Sequence, residues 1–334
     1  MTSKITSNLA SNLAASLRSP GRSPSKPFQS PVALQQWLSQ GIFGLAIAVL
    51  GLMALGSATR VMNAGLSCPD WPLCYGQVVP SSQMNLQVFL EWFHRLVATT
   101  IGLTTVILLS LSLWLRHQLP QWLPKAMGFA LLVVLWQGVL GGLTVTQLLR
   151  FDIVTAHLAT GLFFFMTLMT IAIALFPKQS LPPSLASPSG IAADGLTPQV
   201  PKTLWKWGAG AIVCIYGQSL LGGIVASRWA LHQCLGQQQL CTVMNSHLIG
   251  VIPATLAAII MIAMALRTPE LPRFLRYSTY TSAFCLILQL VLGYATFRLH
   301  LQVEPLTVAH QFIGASLLGT IVFFTASTYR LRAL

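Results

Sequence analysis

Apolar residues gather in eight long runs, at roughly 36–58, 92–115, 126–147, 153–176, 207–227, 247–266, 277–297 and 306–328, divided by short polar or proline-bearing stretches. Each run holds about the 20 helical residues needed to cross a hydrocarbon core of about 30 Å. The pattern predicts an all-α, polytopic membrane protein with eight transmembrane helices. Eight crossings put both termini on the same side.

Composition strengthens this reading: 54% of the 334 residues are hydrophobic and 7% are charged, a balance unsuited to a soluble domain of this size. The net charge of +13 invites a nucleic-acid partner, but its distribution speaks for topology instead. With the N-terminus inside, the inside segments hold Lys4, Arg18, Arg22, Lys26, Arg116, Lys125, Lys178, Lys202, Lys206, Arg267, Arg273, Arg276, Arg330 and Arg332. Arg60, Arg95, Arg150, Arg228 and Arg298 fall on the outer side. The excess predicts N-in and C-in, with no nucleic-acid role.

Residues 1–35 are Ser-rich and basic and are read as a disordered cytoplasmic tail, an organelle transit peptide being the alternative. No cleavable secretory signal is expected, because the first apolar run is too long and lacks a small-residue cleavage site. A Pro-rich inside linker over 177–206, with Pro177, Pro182, Pro183, Pro188, Pro198 and Pro201, divides an N-terminal four-helix half (36–176) from a C-terminal one (207–328). Residues 329–334 form a cytoplasmic C-terminus.

The halves repeat. His94 and His247 are 153 residues apart, as are His157 and His310, and Trp136-Gln137-Gly138-Val139-Leu140-Gly141 matches Leu288-Gln289-Leu290-Val291-Leu292-Gly293. Four crossings per copy preserve orientation, so the repeat is parallel, with a pseudo-twofold along the membrane normal. All four histidines open helices that run inward, near the outer surface. Ionisable groups at membrane depth are costly and face functional interiors. An imidazole pair facing across a bundle can clamp a haem iron from both sides, so two pairs suggest two sites.

Glu91 lies three residues before His94 and shares its helix face. Its counterpart before His247 is Met244, so the first half is the better catalytic candidate. There a carboxylate could accept protons or stabilise positive charge; an interfacial helix anchor is the plainer reading. Cys68 and Cys74 in the first outer loop, and Cys234 and Cys241 in the second, could form disulfides on an oxidising face or act as redox-active thiols. A zinc site is less supported, since only His232 lies near a cysteine and the first loop has no histidine. Arg60, Arg95, Arg228 and Arg298 stand where haem propionates would point, or simply snorkel. His117, His232 and His300 read as solvated or structural, and Cys214 and Cys285 as apolar packers.

Gly56-Ser57-Ala58-Thr59-Arg60, the stretch Gly65 to Gln77 with its Cys-Pro-Asp-Trp-Pro-Leu-Cys-Tyr-Gly core, and Glu91-Trp92-Phe93-His94-Arg95 together resemble the haem A synthase family. The resemblance covers about 36–328. It implies an oxidoreductase that converts the methyl group of haem O to the formyl group of haem A, by successive hydroxylations with water-derived oxygen and dehydration of a geminal diol. It also implies substrate haem on His94 and His157, haem b on His247 and His310, Glu91 as the catalytic carboxylate, and Cys68 and Cys74 as a loop pair. Cysteines such as Cys234 and Cys241 occur in only part of the family. Haem O synthase and cytochrome oxidase assembly factors become expected partners, alongside membrane lipid. The expected location is a bacterial plasma membrane, or alternatively the mitochondrial inner membrane. Self-association into a homo-oligomer stays open.

Two other readings keep the histidines. A di-haem electron-transfer protein of the cytochrome b kind would make no new covalent product and would tolerate loss of Glu91. A transporter or assembly factor on the same repeat would use the imidazoles as a proton relay and bind no haem.

Overall fold

Prolines and short polar side chains set where the helices start, and the apolar runs between them set their length. The computed structural model describes residues 30–177, 200–226, 238–269, 271–299 and 303–332. The remainder, which includes most of the tail and linker stretches, Arg228, Cys234 and the side chain of Cys241, lies outside the described residues. Among the described residues, eight helices are long and apolar enough to cross a membrane: α1 Pro31–Val61, α2 Leu86–Trp114, α3 Trp122–Thr146, α4 Phe151–Leu175, α5 Leu204–Val225, α6 Gln238–Leu266, α7 Arg273–Arg298 and α8 Glu304–Leu331. The protein is an all-helical, multi-pass membrane protein.

Several helices extend past the apolar runs. α1 begins at Pro31 because the Ser30 hydroxyl accepts from the Ala33 N–H (3.1 Å) and proline fixes φ at the first helical position. Asn85 caps α2 in the same way, accepting from the Val88 N–H at 2.9 Å. That cap draws the polar turn containing Glu91 into the helix, so His94 lies eight residues inside α2 rather than at its start. At about 1.5 Å per residue this is about 12 Å of depth.

Packing closes α1, α2, α3 and α4 into a ring, each touching the next and α4 touching α1; α5 to α8 close in the same order. The rings meet through α1–α8, α4–α5 and α4–α8. Exchanging α1–α4 for α5–α8 maps this set of neighbours onto itself. α4 and α8 are the most enclosed helices, with Phe164, Phe165, Leu168, Leu318, Ile321 and Phe324 shielded from the surface. Helix association in lipid depends on close van der Waals approach rather than on water exclusion. The α4–α8 crossing shows this: a Cβ on Gly319 would come 2.7 Å from Phe165 Cζ. Away from the histidine end, Arg330 donates to the Ile173 carbonyl (2.6 Å) and Ser39 to the Ala172 carbonyl (2.8 Å), satisfying carbonyls in the last turn of α4.

Candidate haem-binding and catalytic site

All four paired histidines stand at the same end of the bundle, each on an even-numbered helix against a glycine of the helix before it. A Cβ on Gly56 would fall 2.9 Å from His94 Cε1, on Gly141 3.2 Å from His157 Cε1, on Gly222 3.0 Å from His247 Cε1, and on Gly293 2.9 Å from His310 Cε1. Any larger residue would therefore push the ring inward. His94 and His157 stand on α2 and α4, opposite each other across the first ring, and His247 and His310 on α6 and α8 across the second. The Nδ1 atoms of His94, His157 and His310 are buried without a hydrogen-bond partner. A buried, unsatisfied imidazole nitrogen costs free energy and is available as a ligand donor.

The loop between α1 and α2 covers the first pair. Cys68 and Cys74 are joined by a disulfide with Cα atoms 4.7 Å apart, both buried beside Val88 and Trp92. Tyr75 (φ 54°) and Gly76 (φ 69°) turn the chain back, pairing Cys74 with Gln77 through hydrogen bonds of 3.0 and 3.1 Å. The Asp70 carboxylate accepts from the Gly76 N–H at 2.8 Å and the Tyr75 N–H at 2.6 Å. These donors, Gly76 foremost, with Arg95 nearby, hold its carboxyl below the usual carboxylate range. The Trp71 ring reaches α3, where a Cβ on Gly142 would meet it at 3.1 Å, next to the glycine that faces His157.

Glu91 and Arg95 fasten this loop to α2. Glu91 is 4% exposed; its Oε2 accepts from the Cys68 N–H at 2.7 Å and its Oε1 from Arg95 Nη2 at 2.5 Å. Arg95 also donates to the carbonyls of Asp70 (2.6 Å), Leu73 (2.6 Å) and Cys68 (3.2 Å). Arg95, which sequence position offers to a propionate, is thus committed to the loop. Removing it leaves a buried carboxylate unpaired, at about 3–5 kcal/mol. Arg95→Ala is expected to lower thermal stability in detergent and to open residues 62–85 to protease, which cleavage mapping would reveal.

The other arginines part company. Arg60, one turn beyond Gly56, donates to Gln311 Oε1 on α8 at 2.9 Å, while its buried Nε has no partner. Gln311 adjoins His310, so this bond joins the two four-helix rings beside that histidine. Arg298 lies over Tyr294 of its own helix, 6.0 Å from the ring centre. Sequence reasoning also passed over Gln137, Gln218 and Gln289, whose Nε2 atoms lie 3.5, 3.0 and 3.3 Å from ring nitrogens of His157, His247 and His310. The signal was present: Gln137 and Gln289 occupy the same place in the repeated stretches.

Comparison with known proteins places this arrangement. A family model for cytochrome oxidase assembly protein, COX15-CtaA, matches residues 40–322. The chain belongs to this family. Within the COX15-CtaA family it is similar to heme A synthase of Shewanella oneidensis, 29% identical over 204 residues that make up 56% of this chain and 56% of that protein. It is 29% identical over 219 residues to heme A synthase of Beijerinckia indica, covering 55% and 56%. A shorter stretch of 61 residues, 18% of this chain, is 38% identical to 12% of a protoheme IX farnesyltransferase of Haloarcula marismortui. The chain thus spans about half the length of the two heme A synthases it matches.

Proposed function

We propose that this protein is a haem A synthase, an oxidoreductase that converts the methyl group of haem O to the formyl group of haem A with water as oxygen source. The observation that carries the reading is Glu91, buried one turn from His94 under a disulfide-bonded loop, where the second histidine pair has Met244. α1–α4 form the substrate half, with haem O on His94 and His157. α5–α8 form a pseudo-twofold-related half that keeps haem b on His247 and His310.

The residues fit such groups. Glycine brings each ring against a helix backbone, three ring nitrogens are buried and unpaired, and the histidines stand on opposite helices of each four-helix ring. No group of three or more His, Cys, Asp or Glu stands together among the described residues, and a pair of imidazoles suits a macrocycle that brings its own equatorial donors. When bound, haem supplies the redox chemistry, and the protein supplies orientation and charge.

Methyl oxidation to formyl with one water releases four protons and four electrons, so the reaction needs an external oxidant for the electrons and a proton acceptor in the first half. Glu91 is the carboxylate placed for it. Its oxygens already accept from Arg95 and the Cys68 amide, so proton uptake competes with the contacts that hold the loop. The loop itself, reaching from Glu91 on α2 to Gly142 on α3, excludes water from the substrate half. The bundle is oriented N-in and C-in, with all four histidines near the outer face of a bacterial plasma membrane. Haem O synthase and oxidase assembly factors are the fitting partners.

The test is expression with a haem O supply, followed by extraction and chromatographic separation of the porphyrins. A formyl porphyrin is the expected product. Unchanged haem O beside a stable haem b would favour the electron-transfer reading.

A further inference from the structure

Three of the four histidine sites carry a glutamine at the same spacing from the facing glycine, and the first does not. Four residues before the facing glycine stands Gln137 for Gly141, Gln218 for Gly222 and Gln289 for Gly293, but Leu52 for Gly56. Each glutamine needs space on the histidine helix, and that space is a second glycine. A Cβ on Gly161 would come 3.0 Å from Gln137 Nε2, on Gly314 3.0 Å from Gln289 Nε2, and on Gly250 2.2 Å from Gln218 Oε1. These glycines follow their histidines by four, four and three residues; after His94 the same places hold Val97 and Ala98. Where the glutamine is missing, its glycine is missing too.

The amides also share an unmet need. Gln137, Gln218 and Gln289 each keep a buried Oε1 with no hydrogen-bond partner. An imidazole that gives one nitrogen to iron carries its proton on the other, and that N–H requires an acceptor. The two ends of an amide are nearly isosteric, so a half-turn of the Gln137 or Gln289 side chain brings Oε1 to the ring nitrogen now facing Nε2. Gln218 differs: the Nε2 that faces the His247 ring also donates to the His247 carbonyl at 2.8 Å, so this amide braces the histidine through its backbone as it stands.

We infer that Gln137 and Gln289 are positioning residues that lock His157 and His310 through the ring N–H, that Gln218 braces His247 through its backbone carbonyl, and that Leu52 leaves His94 as the releasable ligand, through which substrate porphyrin enters and product leaves. This rests on the haem-binding reading above. Its chemical sense is plain: one site must exchange its porphyrin while the other retains it. Three imidazoles braced by a glutamine, and one with Leu52 in the glutamine's place, meet both needs. Accepting the ring proton makes the imidazole a stronger donor to iron, and loss of such a partner weakens metal binding by about 10- to 100-fold.

The experiment follows haem loss from the detergent-solubilised holoprotein to excess apomyoglobin at the Soret band, with reduction potentials recorded in parallel. Gln289→Leu, which copies the residue at position 52, is expected to speed loss of haem b at least tenfold and to raise its potential. Gln289→Glu, which keeps an acceptor, is expected to restore retention and lower the potential. The converse pair, Leu52→Gln with Ala98→Gly, is expected to slow porphyrin release from the first half about tenfold. Equal loss in Gln289→Leu and Gln289→Glu would mean the glutamine only fills space and would overturn the inference, as would an unchanged rate in Gln289→Leu. A wild-type protein with no six-coordinate haem spectrum would overturn the haem reading itself, and this inference with it.

Discussion

Glu91→Ala is expected to cut formyl-porphyrin production by about 10²- to 10⁴-fold while haem b remains bound. Two effects combine in this variant, because Glu91, the proposed proton acceptor one helical turn from His94, also holds the loop through Arg95 and the Cys68 N–H. Glu91→Gln separates them. Its amide oxygen can still accept from Cys68, keeping much of the loop in place, while the negative charge is gone. If turnover needs the carboxylate, both variants fail and only the alanine protein shows increased proteolysis of residues 62–85. Normal conversion in Glu91→Gln would reduce Glu91 to an anchor. The measurement is porphyrin chromatography alongside cleavage mapping.

His247→Ala and His310→Ala are each expected to abolish the haem b proposed for the second half, lowering haem per purified protein by at least about 100-fold, since removal of a proposed ligand exceeds the 10- to 100-fold loss typical of a ligand's hydrogen-bonding neighbours. His94→Ala and His157→Ala should spare this haem and instead lose substrate haem. The reduced-minus-oxidised spectrum distinguishes them. An unchanged haem b band in both second-half variants would contradict the assignment of that half. Because Arg60 on α1 bonds Gln311 beside His310, small shifts of the haem b band in first-half variants fit this arrangement, whereas loss of haem does not.

Much of the fold was legible because bilayer crossing imposes a local rule: about 20 apolar residues in sequence form a helix whatever surrounds them. Boundaries were less so. The apolar run that holds His94 starts near residue 92, yet the Asn85 cap carries the helix back to Leu86. The Cys68–Cys74 bond expected from family resemblance is formed, whereas Arg95, offered by position to a propionate, is spent on loop carbonyls. A linear pattern indicates that an arginine stands near a helix end but not which acceptors fold back to meet it.

The chain alone determined the eight spans, the 153-residue recurrence of the histidines and the solitary carboxylate beside the first of them, because hydropathy and spacing are properties of consecutive residues. Only the tertiary structure decided that glycines of neighbouring helices press against those rings, that Glu91 holds a disulfide-bonded cover, and that Arg60 reaches across to α8. Those contacts join residues far apart along the backbone. They exist only once helices pack at distances set by their smallest side chains.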